Sequence, residues 1–92
     1  MTKRIVVCAA CVHPNDPTAM CVGPRHWDKT MFHQVEKMGY IGTSIWKQGF
    51  IDQFGVFMDR KEAMIVAKAS GQPLDLKRNG PDDTKLCSEG LY

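Results

Sequence analysis

The stretch "GFIDQFGVFMDRKEAMIVAKASGQP", Gly49–Pro73, decides the fold, because it reads as strand, turn, strand and capped helix with almost no slack. Asp52 opens a hairpin turn, and Gly55 accepts positive φ near its end. Val56–Met58 is then a short strand. Asp59 caps a helix over 60–70, and Glu62 three positions later completes a D-x-x-E box. Ala63, Val66, Ala67 and Ser70 give that helix a small-residue face for close packing, and Gly71 with Pro73 end it.

Working outward, "YIGTSIWKQGF" (40–50) alternates as the preceding strand, with Trp46 and Phe50 on one face. Before it, Trp27, Met31, Val35 and Met38 recur at helical spacing, one apolar stripe that begins near Arg25 and stops at Gly39. Residues 3–12 and 19–23 read as antiparallel strands joined by the turn "HPNDPT" (13–18). The first is apolar on both faces, hence central or covered by a partner. The order is ββαββα, an α+β fold with a small antiparallel sheet and two helices. One domain is expected over 1–92: a sheet-and-helix body at 3–71 and a C-terminal extension at 72–92, in which only Leu86, Leu91 and Tyr92 look able to dock.

A chain of 92 residues buries a modest core, so oligomerisation is expected. The net charge of +2 is small and dispersed, which argues against binding a nucleic-acid polymer. No apolar run approaches the roughly 20 residues that span a bilayer. The apolar run in "MTKRIVVCAAC" is too short for a secretory signal, so a cytoplasmic protein is expected. Cys8 and Cys11 are three apart on a strand and point to opposite faces, and no second C-x-x-C exists. The four cysteines are therefore expected to be reduced thiols, with no metal and no cofactor.

Catalytic residues are not expected either. Ser44, Ser70 and Ser88 lack a nucleophile elbow, and His26 and His33 do not have the spacing of a zinc pair. Ligand binding has more support. Arg25 and His26 stand at the expected start of the first helix and Arg60 at that of the second, where amide groups and the dipole favour an anion. Phe50, Phe54, Phe57 and Trp46 lie close to Arg60 in sequence, a combination that suits a nucleobase and its phosphates. The competing reading of the same residues is an aromatic core with a solvated arginine rim.

Three runs carry a resemblance: "VGPRHWD", "GFIDQFGVFMDRKEAMIVAKASGQ" and "LCSEGLY". In order and spacing they resemble a family of small phage proteins, the type one Thoeris anti-defence sponges. The resemblance implies a protein that binds cyclic ADP-ribose isomers made by bacterial TIR-domain enzymes and holds them uncleaved. It also implies a homo-oligomer, dimer or hexamer, with pockets between protomers and, in some members, a second site for cyclic trinucleotides. Carried over by motif, the ligand-binding residues are Arg25, His26, Phe50, Phe57 and Arg60. Lys77 and Arg78 are added from the extension, where no motif anchors them. The chain departs from the pattern at Pro24, at Gly90 (where an Asp is expected) and across 71–86. A small cyclic-nucleotide hydrolase and a module that blocks a host protein are the alternatives.

Overall fold

Both long helices begin where an aspartate folds back on the chain. Asp28 accepts from the Met31 amide at the start of α1 (Lys29–Met38), and Asp59 accepts from the Glu62 amide at the start of α2 (Arg60–Ser70). Both end on a left-handed glycine, Gly39 at φ 82° and Gly71 at φ 72°, each with the paired amide bonds that close a helix end. A computed structural model describes residues 3–40, 45–80 and 84–91. Its remaining elements are β1 (Val6–His13), β2 (Asp16–Gly23), β3 (Lys47–Asp52), β4 (Phe57–Asp59), α3 (Leu76–Asn79) and α4 (Ser88–Leu91).

The sheet is antiparallel throughout, in the order β2-β1-β3-β4. The fold is α+β with the expected element order, extended by α3 and α4. Several boundaries differ from the sequence reading. The first helix starts at Lys29, not near Arg25, because Trp27 sits at φ 55°, outside helical space, and Asp28 takes the cap. Trp27 instead packs its ring 5.7 Å from that of Phe32, stapling the entry to α1. The turn after β1 is only Pro14–Asn15, since His13 already pairs with Asp16. β4 runs one residue later than expected, and β3 begins only at Lys47 and ends two residues later at Asp52, leaving Tyr40, Ile45 and Trp46 outside it. Positions 41–44 of the expected third strand lie outside the described residues, as does Tyr92.

Met31 and Val35 of α1 and Ala63, Met64 and Ala67 of α2 share one cluster with Ala9, Cys11, Cys21, Phe50 and Met58. Both helices therefore cover the same face of the sheet, and the molecule is thin, 38 × 32 × 19 Å. The extension is part of this body: Leu86 is fully buried in the cluster, and Leu74 and Leu91 pack against it. Three glutamines blunt free backbone. The side-chain amide of Gln34 pairs with both N–H and C=O of Val22, and that of Gln72 with both groups of Val6. Gln53 does the same for the Ile5 amide and the Lys3 carbonyl. Among the described residues no helix is long and apolar enough to cross a membrane.

Asp52 is the polar knot of the structure. Buried at 2% exposure, it accepts from the Phe54 and Val56 amides and from Arg4 Nε at 2.7 Å, and Arg4 reaches on to Glu62 of α2. Burial alone would raise its pKa, but the Val56 amide, the Arg4 guanidinium and the Phe54 amide together hold it below the usual carboxylate range. Its folded-state value is thus depressed, so its stabilisation is present above about pH 4. It is lost as pH falls through the folded-state value. Asp52→Ala is expected to cost about 3 kcal/mol at neutral pH, the low end for a broken buried pair because Arg4 keeps some solvent. Asp52→Asn keeps the amide acceptor and should flatten the acid limb of the stability profile. Denaturant titrations from neutral pH to below about pH 4 check both. An unchanged acid limb in Asp52→Asn would contradict the assignment.

Candidate functional site

β3 organises the site. Its alternation turns Gln48, Phe50 and Asp52 toward the helices, with Trp46 just before the strand also in the core, and Lys47, Gly49 and Ile51 toward the other face. Over Gln48 lies Arg60, the first residue of α2, whose Nη2 donates to Gln48 Oε1 at 2.5 Å. Its Nε–H is buried and has no partner. A cation at a helix N-terminus opposes the dipole. Arg60 therefore combines an unfavourable position with an unsatisfied donor, and an anion would relieve both.

His26 stands next to this arginine. Its ring meets Phe50 edge-on at 5.2 Å, and its Nε2 lies 2.7 Å from the Gly49 carbonyl. A carbonyl only accepts, so Nε2 carries the proton and Nδ1 is left as an acceptor. Burial holds the imidazole below its usual pKa, and the Arg60 charge adds to that; the Gly49 bond and Glu89 pull the other way. Glu89 belongs to α4, so the C-terminal extension faces His26 as well. Its Leu86 amide bonds the Arg60 carbonyl at 3.0 Å, which seats the extension against the start of α2.

The structure thus sets His26 on Gly49 and Phe50 and Arg60 on the neighbouring Gln48, near enough for the Arg60 and Glu89 charges to act on the imidazole. The sequence reading had not singled out Gln48 or Glu89 as site residues. The others lie apart. Arg25 is half-buried beside His26, ahead of α1 rather than in its first turn, and donates to the Pro24 carbonyl at 3.0 Å. Phe50 is fully buried, so its ring face is closed to a ligand. Phe57 lies on the other face of the sheet, its Cζ 2.6 Å from where a Cβ on Gly49 would stand. Lys77 and Arg78 are exposed on α3, where they line a shallow hollow of about 670 Å³ with Pro73, Leu74 and Leu91.

Much of the glycine- and phenylalanine-rich run is accounted for by packing. Gly49 admits Phe57, Gly55 takes φ 79° in the turn, and Phe50 and Ala63 are core. Gly90 is likewise a contact residue. A Cβ there would stand 2.5 Å from Asn79 Oδ1, and Asn79 is pinned by bonds to the Lys85 carbonyl and the Cys87 amide.

An aromatic band missed in the sequence continues from His26. Trp27, Trp46, Tyr40 and His13 meet ring to ring at 4.5–6.0 Å, and Phe32, 49% exposed, extends the band to the surface. Their spread over four separate segments hid the grouping. What the group offers chemically is a guanidinium, an uncharged imidazole acceptor, an amide and accessible indole surface. Cys11, whose sulfur feels the Arg60 charge, is fully buried. Its thiol donates to Met31 Sδ, and the neighbouring Cys21 together with burial holds it up rather than activating it.

No curated protein and no solved structure matches the chain. A protein-family comparison does match, over residues 5–92, and its description reads "Phage T4 y16D protein". That span takes in every element from β1 to α4, and on it the chain belongs to the phage T4 y16D protein family.

Proposed function

We propose that the protein is a phage anti-defence sponge that binds cyclic ADP-ribose isomers made by bacterial TIR-domain enzymes in the infected host cell and keeps them, uncleaved, from their effector. The observation that carries this reading is the buried, unpartnered Nε–H of Arg60 beside an uncharged His26. A diphosphate would complete Arg60, and a ribose hydroxyl or adenine amino group can donate to His26 Nδ1. For the adenine we favour the partly exposed Trp27–Phe32 surface over the enclosed Phe50 as the stacking platform. Membership of a phage family is consistent with action in an infected cell. A cyclic-nucleotide hydrolase would use His26 and Glu89 as its acid–base pair and release product, and a host-blocking module would not require the unsatisfied cation.

A second copy of the chain belongs in the same proposal. The sheet face opposite the helices presents Val7, Val12, Met20, Val22, Ile51 and Phe57, and Val7 is 42% exposed. With strands about 4.8 Å apart and roughly six residues long, two such faces would bury on the order of 1,000 Å² in total, near the lower bound for a specific interface. Lys47, paired with Val12, and Asp59, paired with Gly49, lie on the same face, so a face-to-face pair matches these opposite charges or leaves them at its rim. Val12→Lys is expected to convert a dimer to monomer in sedimentation equilibrium while leaving the circular dichroism unchanged. A wild-type chain that stays monomeric would remove this part of the reading.

The nucleotide reading is tested by melting the protein with a panel of cyclic ADP-ribose isomers. A ligand at 100 times Kd should add about 2.7 kcal/mol to the folded state. A flat response to the whole panel would favour the host-blocking module.

A further inference from the structure

Where β1, β2 and the first turn of α1 meet, the core holds three sulfur side chains. Cys11 and Cys21 are directly opposite across the antiparallel pair, on the helix-covered face, and Met31 of α1 lies above them. All three are fully buried. Cys11 Sγ is 3.9 Å from Met31 Sδ, to which its thiol donates. The Trp27 amide donates to Met31 Sδ at 3.0 Å, which fixes the sulfur's position and leaves its second lone pair. Cys8, the other half of the C-x-x-C, is on the opposite face and takes no part.

From this geometry we infer a binding site for a soft monovalent metal ion, copper(I), held by the thiolates of Cys11 and Cys21 and the thioether of Met31. Thiolate and thioether donors select copper(I) over harder ions. With metal–sulfur bonds of about 2.3 Å, a trigonal three-sulfur site has an edge of about 4.0 Å. The Cys11–Met31 separation already meets that edge. Among the described residues no three His, Cys, Asp or Glu side chains gather, so the third donor here is the thioether, which disfavours zinc. On binding, the ion replaces the protons of the two thiols, which leave to solvent, and no electron is transferred. The resulting charge of minus one falls within the field of Arg60, whose guanidinium acts on Cys11. The three sulfurs take no part in nucleotide binding, although the Arg60 charge is common to both sites.

The test is an anaerobic titration of the reduced full-length chain with copper(I) against bathocuproine disulfonate, on folded protein and during refolding because the sulfurs are enclosed. One ion per chain is expected, with an ultraviolet thiolate-to-copper charge-transfer band. A Cys8→Ser/Cys87→Ser double variant should keep both signals, and Cys11→Ala and Cys21→Ala should lose them. Met31→Leu, close in volume and expected to fold, should weaken copper binding by more than about tenfold, the scale on which even an outer partner matters. Copper that follows Cys8 or Cys87, that binds no better than a free thiol, or that ignores Met31→Leu overturns the inference.

Discussion

Gly49→Ala is expected to cost at least about 3 kcal/mol, the top of the range for overpacking. The reason is geometric. A Cβ at Gly49 would stand 2.0 Å from the Met58 carbonyl oxygen and 2.6–2.9 Å from the Phe57 ring. A ring can turn aside, but the carbonyl belongs to β4, whose pairing with β3 places Met58 against Phe50 and leads into α2. Relief therefore means parting the two strands. For a domain of this size the loss corresponds to a fall in Tm of more than about 10 °C. Gly55→Ala is the control: the turn is left-handed at φ 79° but opens on empty space, so the cost is only the backbone penalty of about 1–2 kcal/mol. Phe57→Leu should not rescue Gly49→Ala, since the backbone oxygen remains. Thermal melts of the three variants decide it, and wild-type stability in Gly49→Ala would contradict the β3–β4 contact.

Arg60→Ala is expected to weaken binding of the preferred cyclic ADP-ribose isomer by roughly 10- to 150-fold, from losing hydrogen bonds to a charged group worth about 1.5–3 kcal/mol. Stability should change by less than about 1 kcal/mol, because the lost Gln48 bond is offset by removing a buried unpaired donor and an unfavourable helix-end charge. Arg60→Lys keeps the charge without the planar fork and should recover part of the affinity. Calorimetric titration of both variants is the check. Unchanged affinity in a folded Arg60→Ala would move the site elsewhere.

The fold was legible where a local rule sufficed. Asp59, Gly71 and the turn at Asp52–Gly55 each announce themselves by residue type and sit as expected, whereas the Glu62 carboxylate pairs with Arg4 instead of closing the box on the Asp59 amide. The first helix misled because Trp27 continues the apolar stripe. Its spacing fits a helix, but its left-handed backbone excludes one, and the staple with Phe32 uses the same side chain for another purpose. The cysteine grouping was hidden by register. A hairpin tightly closed at Pro14–Asn15 would set Cys8 against Cys21, whereas the irregularity between Val12 and His13 slides Cys11 into that place. Residues 72–80 and 84–91 look polar because they are held by bonds rather than by an apolar stripe: Asn79 clasps Lys85 and Cys87, and Gly90 fits beneath it. Of the site, His26 and Arg60 were readable as types that suit an anion. Gln48, Glu89 and the Trp27–Trp46–Tyr40 band arise from tertiary contact, which no local pattern encodes.

The proposal that the protein captures a nucleotide signal without altering it meets its most direct test in one measurement. Purified chain is incubated with each cyclic ADP-ribose isomer and freed of unbound ligand, then heat-denatured, and the released nucleotide is identified by mass. The account predicts intact ligand, recovered in proportion to protein and lost in Arg60→Ala. Release of a linear or hydrolysed product, or of no nucleotide from any isomer, would contradict it.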